Sequence, residues 1–180
     1  MRVESEMPLL SILKYPDPEL RKISEPIRSF DQNLADLAAD LRETMLAAPG
    51  VGLAAPQVGR PVRLIVVDWS DEDEGYGAST LALVNPRTIE ADGRLTYNEG
   101  CLSVTDLQSK VERAERVKVA AQDLEGQPFV VEAEGRRAVI LQHEMDHLDG
   151  VLFIDRLSRI KREMYNKKLK KSQTDGEAKS

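Results

Sequence analysis

Cysteine, histidine and aromatic residues are scarce in this sequence. Among its 180 residues there are one cysteine, Cys101, and two histidines, His143 and His147. A single cysteine excludes an internal disulfide, and a lone thiol is typical of a reducing compartment. Aromatic residues make up only 4% of the chain, so we expect a mainly aliphatic core.

Long hydrophobic runs are also absent from the sequence. No stretch approaches the ~18 consecutive apolar residues that suggest a membrane-spanning helix. The first ten residues lack the charged stretch and apolar run of a signal peptide. We therefore expect a cytoplasmic protein without a membrane partner, with one domain over residues 1–171 and a disordered tail over residues 172–180.

A basic segment lies near the end of a chain whose net charge is −6. Residues 156–171 contain eight lysines and arginines but only one acidic residue, Glu163. A basic segment on an acidic protein suggests contact with a polyanion, and the alternative is an ordinary solvated helix face. Both interpretations are compatible with the charge pattern.

Hydrophobic periodicity divides the chain into helices and strands. The predicted elements are an amphipathic helix over 34–48, short strands over 63–68 and 81–84, a hairpin that pairs 117–119 with 129–133, a helix over 136–148 and a final helix over 158–171. Residues 14–27 and 50–59, rich in proline or glycine, are expected to be irregular. Because strands and helices do not alternate one for one, the fold class is α+β, with small antiparallel or mixed sheets around the buried central helix 136–148.

Both histidines lie in that central helix, in the segment His143-Glu144-Met145-Asp146-His147. Residues four positions apart share one face of a helix, so both imidazoles can reach a single metal ion. Glu144 follows the first histidine and can accept a proton from water activated by the metal. The spacing therefore predicts a catalytic metal site rather than two unrelated polar rings in an apolar helix.

A catalytic zinc-type site usually has three protein ligands, and the third is not fixed by the histidine spacing. Cys101 is one candidate, and three carboxylates downstream of the histidines are the others: Asp149, Asp155 and Glu163. A carboxylate ligand would indicate a general zinc peptidase. A non-enzymatic alternative is a structural metal domain that binds RNA through its basic end.

Three motifs are similar to the signature motifs of the peptide deformylases and occur in the same order. They are GVGLAAPQVG at 50–59, EGCLS at 99–103 and QHEMDHLDG at 142–150. The resemblance extends from about Leu10 to Arg159. It implies an enzyme that hydrolyses the N-formyl group from the N-terminal formyl-methionine of new proteins and releases formate.

The resemblance also implies roles for individual residues. Cys101, His143 and His147 would bind one Fe²⁺ ion, which Zn²⁺ or Ni²⁺ can replace, and Glu144 would transfer protons. Gln57 and the Leu102 N–H would stabilise the oxyanion, and Gly52 would let the substrate backbone approach. The methionine side chain would contact Val51, Val139 and Ile140.

Some positions depart from the family pattern, and these concern the substrate beyond formyl-methionine. Thr105 and Gln108 stand where the family commonly has Pro and Arg, and Arg136 and Arg137 stand where an apolar residue often borders the methionine pocket. Glu99 and Arg113 match a family ion pair behind the metal. The family resemblance further implies a monomer that docks on the ribosome through its basic C-terminal helix.

Overall fold

An antiparallel five-stranded sheet forms the larger part of the β structure in the computed structural model, which describes residues 9–177. Its strand order is β1-β2-β3-β6-β7, and β4 and β5 form a separate antiparallel pair. The strands are β1 (Gly52–Ala54), β2 (Leu64–Asp68), β3 (Thr80–Asp92), β4 (Leu95–Cys101), β5 (Val104–Arg113), β6 (Arg116–Gln122) and β7 (Pro128–Glu134). Antiparallel sheets combined with helices confirm the α+β class.

Three α-helices accompany these strands: α1 (Gln32–Ala47), α2 (Arg136–Leu148) and α3 (Arg159–Glu177). Helix α1 begins where the Asp31 carboxylate accepts a hydrogen bond from the Leu34 N–H, which satisfies a free donor of the first turn. Its buried face includes Leu41 and Met45 and packs on β1 and β2. Helix α2 has the bounds that its periodicity predicts.

Helix α2 packs against β1, β2 and β7, and most of its side chains are buried. After the helix, Gly150 adopts a φ of 70°, a conformation that side chains with a Cβ rarely tolerate. A Cβ at that position would also overlap the Arg21 carbonyl. Gly150 therefore lets the chain turn closely against the N-terminal arm, residues 14–27.

The arm connects three segments that are distant in sequence. Leu13, just before it, donates its N–H to the Gln57 carbonyl at 2.7 Å, and Tyr15 N–H donates to the Ser103 carbonyl at 2.7 Å. Further along, Ser24 N–H donates to the Leu148 carbonyl at 2.8 Å. The arm is irregular as predicted, apart from one 3-10 turn at Pro18–Arg21.

The structure differs from the predicted elements in several places. Residues 50–59 are not wholly irregular, since they contain β1 and a 3-10 helix over Ala55–Val58. Strand β3 is much longer than the predicted 81–84, because its second half pairs with β6 although its side chains from Arg87 to Asp92 are exposed and mostly polar. The β4–β5 hairpin is an element that periodicity did not reveal.

The final helix also differs from its prediction. It continues past Lys171 to Glu177, so residues 172–177 of the predicted disordered tail are helical, and residues 178–180 lie outside the described residues. In this last part of the helix the Ser172 and Thr174 hydroxyls donate hydrogen bonds to the carbonyls of Leu169 and Lys170.

Candidate active site

Helix α2 presents His143 and His147 on one face, as their four-residue spacing predicts. Their ring centroids are 5.1 Å apart, in an edge-on arrangement, and both side chains are buried. Phe153 stacks against His143 with a centroid distance of 6.1 Å. Apolar packing on one side thus leaves the two imidazoles directed towards a common point.

Cys101 is the residue that joins the two histidines. It is the last residue of β4, and its Sγ atom lies 3.4 Å from His147 Nε2. One ligand atom from each of Cys101, His143 and His147 lies within 4.8 Å of the others. No other group of three or more such ligands meets this criterion within residues 9–177.

The three carboxylates that could have replaced Cys101 are engaged elsewhere. Asp149 binds Arg63 at 2.8 Å, and Asp155 binds Arg21 at 2.5 Å. Glu163 binds Arg159 at 2.7 Å on the exposed surface of α3. The prediction of a carboxylate as third member of the cluster therefore has no support in the geometry.

Glu99 connects His143 to a buried arginine. Its Oε2 lies 2.9 Å from His143 Nδ1, and Arg113 donates two hydrogen bonds to its carboxylate at 2.7 and 2.9 Å. The predicted ion pair of Glu99 with Arg113 is confirmed. Burial alone raises the pKa of Glu99, but the hydrogen bonds from Arg113 and His143 outweigh burial and lower the pKa to about 2. With Nδ1 facing an ionised carboxylate, Nε2 of His143 is the ring nitrogen left for a metal ion.

The pKa values of the two imidazoles are shifted in opposite directions. Burial lowers the pKa of His143, but hydrogen bonds with Cys101 and Glu99 outweigh burial and hold the pKa well above the usual range. Burial and the neighbouring His143 lower the pKa of His147 well below the usual range. A neutral imidazole is the form that binds metal ions, and His147 already has it.

Glu144 lies next to this cluster and is buried. Burial raises the pKa of its carboxyl group to about 7. Its Oε2 atom has no hydrogen-bond partner within residues 9–177, and the same holds for Nδ1 of His147. A Cβ on Gly52 would overlap the Glu144 carboxylate, so only glycine at position 52 allows β1 to approach so closely. A buried carboxyl group with a pKa near neutrality and a free oxygen is suited to proton transfer.

The Gln57 side chain is held in one orientation on the other side of Cys101. Its Oε1 accepts a hydrogen bond from the Ala54 N–H at 2.9 Å, so its Nε2 amide hydrogens point the opposite way. One contact of Nε2 is the Ser103 hydroxyl at 3.1 Å, and another is Cys101 Sγ at 3.7 Å. Leu102 follows Cys101 in the turn to β5, and its N–H has no hydrogen-bond acceptor within residues 9–177.

A cleft of about 750 Å³ opens beside these groups. Val51, Gly52, Val139 and Ile140, which the resemblance places in the substrate site, line this cleft together with the Cys101 segment. Three of the four departures from the family pattern line it as well, Thr105, Gln108 and Arg136, whereas Arg137 does not. The structure thus brings every predicted site residue to one place, except that His147 lies behind the cleft surface.

Sequence reasoning missed three residues that complete this region. Asp146 accepts hydrogen bonds from Arg113 at 2.5 Å and from Arg156 at 2.8 Å. Ser103 is fully buried against Gln57, and Lys14 donates from the arm to the Leu102 carbonyl. Asp146 and Ser103 lie inside the quoted motifs, but only their partners, distant in sequence, give them a role.

Comparison with known proteins decides the family. The sequence pattern of the polypeptide deformylases matches residues 9–163. The chain belongs to the polypeptide deformylase family. It is 48% identical over 165 residues to a peptide deformylase of Chromobacterium violaceum, covering 92% of this chain and 96% of that protein. A peptide deformylase of Brucella suis is 47% identical over 166 residues, covering 92% and 94%.

A solved structure agrees with these sequence matches. The crystal structure of a peptide deformylase from Legionella pneumophila superposes with a TM-score of 0.84 at 43% identity, covering 93% of this chain and 96% of that one. As a deformylase, the protein is a metal-dependent hydrolase that removes the N-formyl group from the N-terminal methionine of nascent proteins. The family assignment excludes the general zinc peptidase and the non-enzymatic metal domain as alternatives. Within residues 9–177 no helix combines the length and apolar character of a membrane span.

Proposed function

We propose that Cys101, His143 and His147 hold one Fe²⁺ ion, which Zn²⁺ or Ni²⁺ can replace, and that this ion serves the deformylation of formyl-methionyl peptides. The observation that carries the proposal is the convergence of one sulfur and two imidazoles within 4.8 Å of one another. Thiolate and imidazole suit these transition metals better than Mg²⁺ or Ca²⁺. When bound, such an ion acidifies water and draws electron density from a carbonyl oxygen.

Glu144 transfers the proton in this proposal. Its carboxylate accepts a proton from the attacking water, and its Oε2 atom has no hydrogen-bond partner within residues 9–177. The carboxylic acid then gives this proton to the departing amine nitrogen of methionine. Because burial sets its pKa at about 7, neither the acceptance nor the return of the proton is strongly uphill near neutral pH.

Gln57 and Leu102 stabilise the charge that develops on the formyl oxygen. Gln57 Nε2 is directed towards Cys101 because its Oε1 is fixed by Ala54. The Leu102 N–H is free to donate and follows the same cysteine. Donors that are already oriented need no rearrangement during the reaction and typically contribute about 2.7–4 kcal/mol each.

The substrate backbone lies along β1 in this proposal. Strand β1 is an edge strand, and the lack of a side chain at Gly52 lets this strand lie close to Glu144. An extended peptide can pair with such an edge. The methionine side chain then contacts Val51, Val139 and Ile140. Val139 and Ile140 form an apolar wall on α2, one helical turn before His143.

Cys101→Ala tests the metal assignment, with Asp155→Ala as the matched control. We expect Cys101→Ala to lose most bound iron and nearly all formate release from a formyl-Met-Ala-Ser peptide. Asp155→Ala should keep both, because its carboxylate binds Arg21 instead. The measurements are anaerobic metal analysis and a colourimetric formate assay. Full iron content in Cys101→Ala would contradict the assignment.

We further propose that α3 docks on the ribosome surface and that the protein acts as a monomer in the cytoplasm. The support is the exposed face of α3, which combines Lys167, Lys168 and Lys171 with the exposed apolar residues Ile160 and Met164. Basic side chains bind phosphate groups with displacement of counterions, so the contact should weaken with salt.

A triple charge reversal, Lys167→Glu, Lys168→Glu and Lys171→Glu, tests the docking. We expect ribosome binding in sedimentation assays to fall at least tenfold while activity on a short peptide stays within twofold. The control reverses three exposed charges elsewhere, at Arg60, Arg94 and Arg116. Equal ribosome binding by wild type and the α3 variant would refute the docking. Sedimentation velocity of the free protein tests the monomer.

A further inference from the structure

Arg136 is an exposed arginine without an ionic partner at the edge of the cleft. It is the first residue of α2 and lines the cleft together with Val139 and Ile140. Within residues 9–177 its guanidinium makes neither a hydrogen bond nor an ion pair. The neighbouring Arg137 differs, since it donates to the carbonyls of Trp69 and Ser70 and to the Asp71 carboxylate at 2.8–3.1 Å.

The position of Arg136 along α2 determines its distance from His143. Seven residues separate it from His143, which corresponds to about 10 Å along the helix axis. Val139 and Ile140 lie between the two, one helical turn from either end. Arg136 therefore lies at the end of the apolar wall that is farther from the metal donors.

The alternation of side chains in an extended substrate determines which of its residues can reach Arg136. Side chains of an extended chain alternate between two faces, and residues two apart lie about 6.6 Å from each other on the same face. If methionine, residue 1, contacts Val139 and Ile140, residue 2 points to the other face. Residue 3 shares the face of methionine and lies further along the wall.

We propose that Arg136 determines substrate specificity by favouring Asp or Glu, and disfavouring Lys or Arg, at the third residue of the formylated peptide. The inference rests on the proposed placement of methionine against Val139 and Ile140. Two other exposed charges line the cleft, Lys14 on the arm and Asp106 on β5. Lys14 is held by the Leu102 carbonyl, so Arg136 is the cation that has no protein acceptor.

A set of four peptides tests the inference on the wild-type enzyme: formyl-Met-Ala-Glu-Ser, formyl-Met-Ala-Gln-Ser, formyl-Met-Ala-Lys-Ser and formyl-Met-Glu-Ala-Ser. We expect kcat/KM for Glu at residue 3 to exceed that for Lys by about 3–10-fold, because an exposed charge pair typically changes affinity by a few-fold and attraction and repulsion combine. The difference should appear in KM and shrink in 0.5 M NaCl, where charges at the surface are screened.

Variants at position 136 link this preference to the positive charge of the Arg136 side chain. Arg136→Leu should abolish the preference, Arg136→Lys should keep it and Arg136→Glu should invert it. Arg60→Leu removes an exposed arginine that lines a different surface cavity, and it should keep the wild-type ratio. Each value is a ratio between substrates on the same enzyme preparation, so a partly unfolded variant does not distort it.

The possible results separate this inference from the proposed function. No formate from any of the four peptides would contradict the proposed function itself. Rapid deformylation with equal kcat/KM for Glu and Lys at residue 3 would overturn only the role of Arg136. A preference that appears at residue 2 instead, or one that survives in Arg136→Leu, would overturn it too.

Discussion

Helices α2 and α3 follow each other in the chain, yet they meet opposite environments. Eight of the 13 residues of α2 are buried, including three polar ones, His143, Glu144 and His147. Between residues 159 and 174, α3 buries only Tyr165 and exposes its lysines to solvent. The three buried polar side chains of α2 are thus shielded from water, whereas the lysines of α3 are exposed to it.

The contrast shows where substitutions are expected to matter. A buried charge or hydrogen-bonding group loses its interactions with water, and its protein partner compensates for that loss. Removal of the partner therefore leaves the free-energy cost of desolvation uncompensated. An exposed charge regains water when its partner is removed, and its effect is small. In the proposed function the same division holds: α2 carries the chemistry, and α3 offers a surface for contact.

The strongest test of the contrast is Glu144→Gln in α2. We expect kcat/KM to fall by about 10²–10⁴, since a positioned general acid–base contributes about that much. Metal content should stay at the wild-type level, because Glu144 is not one of the three clustered ligands. Formate release and metal analysis on the same sample check both points. Activity within tenfold of wild type would contradict the proton-transfer role.

Arg113→Met extends the test to the buried charges behind α2. We expect the free energy of unfolding to fall by about 3–5 kcal/mol, because the buried Glu99 carboxylate would lose its arginine partner, while Asp146 would keep only Arg156. Urea denaturation measures this. Arg116→Met is the matched control on the surface, where the ion pair with Asp92 is exposed, and no measurable loss of stability is expected. Similar losses in the two variants would contradict the contrast.

Tyr165→Phe probes the one side chain that α3 buries between residues 159 and 174. The Tyr165 hydroxyl donates to the Thr105 carbonyl at 3.0 Å, and its loss should cost about 1 kcal/mol of unfolding free energy. Activity on short peptides should remain at the wild-type level. Thermal and urea unfolding provide the measurement. A loss of activity without a loss of stability would mean that α3 influences the cleft directly.

The smallest expected effect concerns Asp155, in the connection between the two helices. Burial alone raises the pKa of Asp155, but the hydrogen bond from Arg21 outweighs it and lowers the pKa. The resulting stabilisation is present above the unfolded-state pKa of ~3.9 and is lost as the pH falls through the lower folded-state value. Asp155→Asn should therefore cost about 0.5–1 kcal/mol at pH 6, after discounting for partial exposure, and progressively less below pH ~4.

Urea unfolding of wild type and Asp155→Asn between pH 3 and 7 measures this dependence. The two stability curves should converge at acid pH. A difference that stays constant with pH would show that the carboxylate charge does not contribute, and that the substitution acts through packing.

The sequence revealed those features whose signal is local. Helix α2 and its two histidines follow from spacing within one helix, and the β6–β7 hairpin follows from alternation on both sides of the turn at 123–127. The β4–β5 hairpin was missed because its outer face is charged and its turn, Leu102-Ser103, lacks the residues that usually mark one.

The third member of the metal cluster shows the same limit. Spacing alone left Cys101 and three carboxylates as candidates, because the choice depends on which distant segment packs beside α2. Asp146 likewise lies within the QHEMDHLDG motif, but its role depends on the hydrogen bonds that it accepts from Arg113 and Arg156. Contacts between segments far apart in sequence are the information that local patterns do not contain, and family resemblance supplied part of it.

The N-terminal arm has a consequence for the order in which the protein becomes active during its own synthesis. Its backbone hydrogen bonds end at Ser103 and Leu148, so the arm leaves the ribosome long before its partners exist. Every nascent chain that ends before His147 lacks both the imidazole of His147 and the Leu148 carbonyl, to which Ser24 of the arm donates its N–H. The metal site proposed for Cys101, His143 and His147, with the arm in place, can therefore be complete only after translation of the chain has passed Leu148.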